Sequence, residues 1–409
     1  MVRDRSSRAA RAVAVLLLAA GLGAVVAIAW AAGLLGDASG PPRAQASTPP
    51  EAGAAPAGPQ KVCAWSRGDA ASLERAAAAS ALDEVDFDWY HSLRDGALKP
   101  QGENLKLVRR AHALHVKVFA TITNRLSHTS PFDPAIAAVI LSSAARRSAH
   151  VSRLVDLCVK KGFDGIDMDW ESMKAVDRGR FTAFIQLLAR KLHARGKLLS
   201  IAVYPKVSEP GSWDAQQAED YAKLGAAVDE FKVMTYAFSG GWSKPGPQMP
   251  LYWAKQVLAF AVSKVPARKV YMGMPFFGFD WKGKRACYVL WKDVQATRRV
   301  HGGRLTRDSV SGEAILRYTD GAGAAHIVYF QDRTAVKTKT AWMRSKQPRI
   351  AGMAIWVMGG EDPGFWPVIA AQLGHPYTPA HDRHAVSLHG PRPHDARRRR
   401  RLPAACLRR

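Results

Sequence analysis

Residues 164–171 read Asp-Gly-Ile-Asp-Met-Asp-Trp-Glu, four acids within eight positions. In a β-strand, successive side chains point to opposite faces, so Asp167, Asp169 and Glu171 share one face and Ile166, Met168 and Trp170 the other. Three carboxylates in a row against a buried apolar face repel one another, and desolvation adds to the cost. At least one of them is therefore expected to hold its proton. A neutral acid beside ionised ones is what general acid catalysis requires near neutral pH. Glu171, at the end of the strand, is the expected general acid. Asp169 is expected to share a proton with it and then turn toward the substrate. Asp167, one layer deeper, is expected to stay buried and hold Asp169 by a hydrogen bond. Asp164 falls on the opposite face near the strand start, where a turn or capping role fits.

Such a strand needs a frame. Apolar, β-branched runs recur at 62–65, 85–89, 116–123, 165–169, 198–204, 231–236, 270–274 and 353–357. Between them, 135–161, 178–195, 214–225 and 252–265 show helical periodicity. Eight strands alternating with helices predict an α/β fold, a (β/α)8 TIM barrel, whose active sites lie at the C-terminal ends of the strands. Glu171, Tyr236 and Trp356 all fall at such ends. The gap from the seventh strand to the eighth is the longest. A barrel helix at 334–345 fills its end. The rest, about 282–333, is expected to form a small α+β insertion that includes a strand-like piece at 326–330 and walls the cleft.

The remaining organisation concerns compartment. Residues 1–11 carry four arginines against one aspartate, and 12–36 then contain no charged residue. An uncharged run of that length suits a spanning helix better than a secretory signal, with the basic end in the cytoplasm. Ala44-Gln45-Ala46 offers a cleavage alternative, which would release a secreted form. Either way the domain at 61–375 is expected outside the cytoplasm, facing the periplasm or the extracellular side, behind a flexible Pro/Ala/Gly/Ser-rich linker at 37–60. Residues 376–409 form a basic tail expected to be disordered. The net charge is +25. The charge excess fits anionic wall polymers or lipid head groups better than nucleic acid, because the tail lacks interleaved aromatics for base stacking. Cys63, Cys158, Cys287 and Cys406 are spaced irregularly, with no metal-binding pattern; one bridge is compatible with them. A monomer is expected.

The spacing D-x-x-D-x-D-x-E resembles the signature of glycoside hydrolase family 18, the chitinase-like enzymes. Val233-Met234-Thr235-Tyr236, the run 273–278 (Gly-Met-Pro-Phe-Phe-Gly) and Gly352-Met353-Ala354-Ile355-Trp356 resemble that family's sixth, seventh and eighth strands. Gly359-Gly360-Glu361-Asp362-Pro363, with Trp366, is most similar to its bacterial spore-cortex and cell-wall branch. The resemblance spans roughly 61–373. It implies the insertion, and a substrate-assisted retaining mechanism on β-linked N-acetylglucosamine polymers, with no cofactor and no metal. On this reading Glu171 protonates the leaving group and Asp169 orients the substrate's acetamido group. Tyr236 hydrogen-bonds the acetamido carbonyl, Met234 lines the pocket beneath, and Trp356 floors the sugar. Trp89, Asn124, Tyr204 and Trp242 are further cleft candidates, for which plain packing is an equal reading. One position departs from the pattern. The family usually has an acid directly after the M-x-Y tyrosine, and here that residue is Ala237. Asp280 or Glu361 could substitute for it. The alternative function is a catalytically weak carbohydrate-binding protein, a lectin using the same cleft.

Overall fold

The computed structural model describes residues 58–345 and 348–375. The expected cytoplasmic segment 1–11, the spanning segment 12–36, nearly all of the linker and the tail 376–409 lie outside the described residues. Among those described, no helix is long and apolar enough to cross a membrane.

The strands are β1 (Lys61–Ser66), β2 (Glu84–Ser92), β3 (Leu98–Pro100), β4 (Lys117–Thr123), β5 (Gly165–Asp169), β6 (Leu198–Val203), β7 (Glu230–Val233), β8 (Val270–Pro275), β9 (Phe277–Lys282), β10 (Arg285–Leu290), β11 (Arg304–Arg307), β12 (Ala314–Thr319), β13 (Ala325–Phe330) and β14 (Gly352–Met358). Eight of them pair in parallel in the order β1-β14-β8-β7-β6-β5-β4-β2, and β1 pairs with β2 to close the ring. This is the expected (β/α)8 barrel. β3 folds back antiparallel on β2. The other five strands form a separate antiparallel sheet in the order β10-β9-β13-β12-β11. That sheet begins at Phe277, ahead of the expected insertion start at 282, because Phe277–Lys282 pairs with β10 and β13 rather than trailing off the barrel.

The helices form where the sequence caps them. Asp69 caps Ala70–Ala78 by accepting from the Ser72 N–H, and Ser143 caps Ala144–Lys161 through the Arg146 N–H. Gly162 closes the latter helix in the left-handed conformation that glycine adopts at little cost. The expected helix 135–161 is in fact two, Pro134–Leu141 and Ala144–Lys161, because Ser143 starts a new one. Residues 214–225 likewise divide into Asp214–Gln217 and Tyr221–Ala227, where Asp220 caps the second helix through the Lys223 N–H.

The main core lies between barrel and helices. Outward-facing Ile166, Met168 and Trp170 of the β5 region are buried there, and Trp170 stacks on Phe184 at 5.1 Å. The barrel interior is different. A small apolar cluster of Cys63, Trp65, Ala202, Met234, Tyr271 and Ala354 shares it with buried Glu84, Asp86, Asp88, Asp167, Glu230 and Lys232. Cys63 and Cys158 are buried free thiols.

Candidate active site

β5 aims its acids into the barrel in ascending order. Asp167, the deepest, is fully buried. It accepts from Trp65 Nε1 at 2.8 Å, Thr121 Oγ1 at 3.0 Å and Ser200 Oγ at 2.5 Å, and Lys232 Nζ lies at 3.6 Å. The expected hydrogen bond from Asp167 to Asp169 does not form among the described residues. The oxygens of Asp167 are already occupied by donors from β1, β4 and β6.

Asp169 is 6% exposed and accepts no hydrogen bond from the described residues. Burial holds its carboxyl well above the usual range, and the nearby Glu171 and Asp167 push it the same way. Glu171, just past the strand, is partly exposed at the barrel mouth. Burial raises its pKa as well, while a hydrogen bond from Tyr204 and the charge of Arg125 pull it back down. The Tyr204 hydroxyl donates to Glu171 Oε2 at 2.5 Å and itself accepts from the Ser172 N–H at 3.3 Å. Asn124 holds the main chain of the same residue in both directions. Its Oδ1 accepts from the Glu171 N–H and its Nδ2 donates to the Glu171 carbonyl, each at 2.8 Å. Tyr204 and Asn124 therefore position the acid.

Tyr236 lies beyond the end of β7, which stops at Val233, three residues short of the expected 231–236 strand. Gly273 makes room for its ring: a Cβ there would sit 2.9 Å from Tyr236 Cε1 and 2.5 Å from the Val233 carbonyl oxygen. Burial raises the tyrosine pKa, and Asp169 and Glu171 add to the rise, so its hydroxyl is electrostatically tied to both acids. Trp356, on β14, packs edge-on against Trp65 at 6.1 Å. Met234 belongs to the interior apolar cluster, and Tyr204, Tyr236 and Trp356 pack against it. The insertion adds Phe277, Tyr288 and Leu290 beside Tyr236 and Trp356. Trp242, 52% exposed, rests edge-on against Phe279 of the insertion.

Trp89 is not in the cleft. It is fully buried in the outer core, stacked on Phe87 at 3.9 Å. Alternation on β2 turns Glu84, Asp86 and Asp88 inward, so Phe87 and Trp89 point outward. Asp280 and Glu361 do not replace the missing acid either. Asp280 is bound to Tyr318 and His326 of the insertion sheet, and Glu361 to Ser72, Trp366 and the Gly359 N–H. Ala237 itself has φ +58°, as does Ser172 directly after Glu171. A left-handed conformation at a non-glycine residue carries a cost, and here it occurs immediately after the acid and immediately after the tyrosine. Asp164 accepts from the Val118 N–H and from His112, tying the start of β5 to its neighbours.

Several site residues were not anticipated. Lys232 Nζ donates to Glu84 Oε1 at 2.9 Å, Asp86 Oδ2 at 2.7 Å and Ser200 Oγ at 3.2 Å beneath Asp167. Even so, burial pushes the Glu84 and Asp86 carboxyls up to about 7. Arg125, almost fully buried, donates to Asp88 Oδ2 at 2.5 Å. The run Glu84-Val85-Asp86-Phe87-Asp88 alternates as 167–171 does, and that alternation was the available signal.

Comparison with known proteins agrees with this geometry. The profile of Glycosyl hydrolases family 18 matches residues 89–361. The uncharacterized glycosylase YvbX of Bacillus subtilis (strain 168) is 29% identical over 257 residues, covering 62% of this chain and 74% of that protein. The cortical fragment-lytic enzyme of Bacillus anthracis is 28% identical, covering 68% of this chain and 65% of its own length. The chitinase from Chromobacterium violaceum ATCC 12472 superposes with a TM-score of 0.70 at 28% identity, over 77% of this chain and 99% of that one.

Proposed function

The chain belongs to glycosyl hydrolase family 18, and from that premise we propose that it hydrolyses β-linked N-acetylglucosamine polymers, in peptidoglycan or chitin, by a substrate-assisted retaining mechanism. The observation that carries this reading is the pair Asp169 and Glu171 at the barrel mouth. Both carboxyls are held above their usual range, and one of them is positioned by Tyr204 and Asn124. Tyr204 occupies Glu171 Oε2, leaving Oε1 for the transferable proton.

In the proposed reaction Glu171 protonates the glycosidic oxygen. The nucleophile is the carbonyl oxygen of the substrate's own acetamido group, the exception to the two-carboxylate scheme. An oxazolinium ion forms, Asp169 stabilises its developing positive charge, and the Tyr236 hydroxyl donates to the acetamido oxygen. Trp356 offers its aromatic face to the C–H surface of the sugar. Water then opens the ring with Glu171 as base. The names of the glycosylase, cortical fragment-lytic and chitinase relatives support the polymer class. The uncharged run 12–36 behind an arginine-rich end supports export, with the chain tethered to the membrane or released near Ala46.

The test is product analysis by mass spectrometry after incubating the full chain with peptidoglycan, with chitin oligomers, and with the same polymers after de-N-acetylation. The acetylated forms should be cleaved far faster; equal rates would sink the substrate-assisted route. Ala237 favours a second reading, binding without turnover. Tight binding of N-acetylglucosamine oligomers with no release of reducing ends would decide for it.

A further inference from the structure

Arg67 directly follows β1 at the C-terminal mouth of the barrel, beside the sugar platform. Its guanidinium carbon lies 5.6 Å from the centre of the Trp356 ring. Its Nε is 3.4 Å from Asp88 Oδ2, and the side chain is 45% exposed. The two terminal nitrogens, Nη1 and Nη2, have no partner among the described residues. Asp88 is not a private counter-ion for Arg67, because the same oxygen takes the 2.5 Å contact from buried Arg125. Two guanidiniums share one carboxylate, which leaves one positive charge uncompensated at the mouth. Neither Asp169 nor Glu171 makes an ion pair with Arg67, whose one acidic contact among the described residues is Asp88.

A guanidinium pre-ordered on an aromatic face, with its fork of N–H donors open, matches a carboxylate through two parallel hydrogen bonds. An uncharged glycan has no group to satisfy it, and covering an unpaired cation with a neutral sugar costs free energy. The chain's net charge of +25 further favours association with anionic over neutral polymers. We propose that Arg67 recognises a carboxylate borne by the glycan at the Trp356 platform, so that the site selects N-acetylmuramic acid strands with free lactyl carboxylates over uncharged chitin. This rests on the glycosidase reading of the cleft and narrows its substrate class.

The experiment uses the full chain and two forms of one substrate. One is peptidoglycan glycan strands stripped of peptide; the other is the same strands with their lactyl carboxylates converted to methylamides. The parent should prefer the acid form by about tenfold or more in kcat/KM, as for one hydrogen-bonded charge pair. Arg67→Gln should bring that ratio close to one. Arg67→Lys, which keeps the charge and loses the fork, should fall between them. Equal kcat/KM on both strands for the parent, or an unchanged ratio in Arg67→Gln, overturns the proposal. If the parent cleaves neither strand, the glycosidase reading fails by itself. The same ratio is then read from Kd values, where a preference for the acid form that depends on Arg67 sustains the recognition and equal affinities overturn it.

Discussion

On β2 the acids Glu84, Asp86 and Asp88 alternate with Val85, Phe87 and Trp89; at β5 the acids Asp167, Asp169 and Glu171 alternate with Met168 and Trp170. The two ladders have three acids each and face the same interior. They differ in how the surrounding barrel answers them. Each β2 acid touches a cation: Glu84 and Asp86 meet Lys232, and Asp88 meets Arg125. On β5 only Asp167 is within reach of Lys232. Asp169 and Glu171 have no cation within ion-pair distance among the described residues. Lys232 and Arg125 tie the β2 ladder to β7 and to the chain after β4, whereas burial raises Asp169 and Glu171 with no ion-pair partner beside them among the described residues. What separates them is the counter-charge supplied by other strands, since the acids themselves are alike.

The largest test of this contrast removes the balance. Lys232→Met leaves Glu84, Asp86 and Asp167 in the barrel without their cation, and breaking a buried ion pair by deleting one partner costs about 3–5 kcal/mol. Urea denaturation should show a loss of that order. A loss under about 1 kcal/mol would mean the β2 acids are held by protons instead, and the contrast would collapse. Next, Glu171→Gln keeps size and hydrogen bonding but removes the transferable proton. Turnover should fall by about 10²-fold or more while the unfolding midpoint stays near that of the parent. Retained turnover would show that the β5 ladder is not the source of the proton. The smallest effect sharpens the picture. Tyr204 donates to Glu171 and so favours its ionised form. In Tyr204→Phe the Glu171 carboxyl should keep its proton to higher pH, and the alkaline limb of the pH profile of kcat/KM should move upward. Turnover at the optimum should drop by about tenfold, as for loss of one hydrogen bond to a charged group. A limb that moves downward or stays in place would remove Tyr204 from the control of the acid.

The β5 ladder was legible in the sequence because the alternation of 166–171 puts three acids on one face, in the D-x-x-D-x-D-x-E spacing that the β2 run lacks. The barrel was legible because eight apolar runs recur between helical stretches. The β2 ladder shows the same alternation, yet its partner Lys232 lies 146 residues beyond Asp86, and a single sequence does not say which strand will stand opposite. Trp89 shows the reverse case. Its outward orientation follows from Asp86 and Asp88 pointing inward, so the alternation already contained the answer that its aromatic character obscured. Tyr204 and Asn124 act through contacts that exist only after β4, β5 and β6 lie side by side. Ala237 was visible as a departure, but only the structure shows that Asp280 and Glu361 are engaged elsewhere.

The carboxamide of Asn124 pairs with the main chain of Glu171 as an adjacent strand would. The β4–β5 ladder ends with Thr123 opposite Asp169, so this side chain adds a final rung where the two strands part at the rim. The main chain of Glu171 is thereby fastened to the barrel wall, apart from the contact that Ser172 makes with the Tyr204 hydroxyl. A side-chain rung of this kind lets the barrel wall, rather than the turn beyond it, set where the main chain of Glu171 sits.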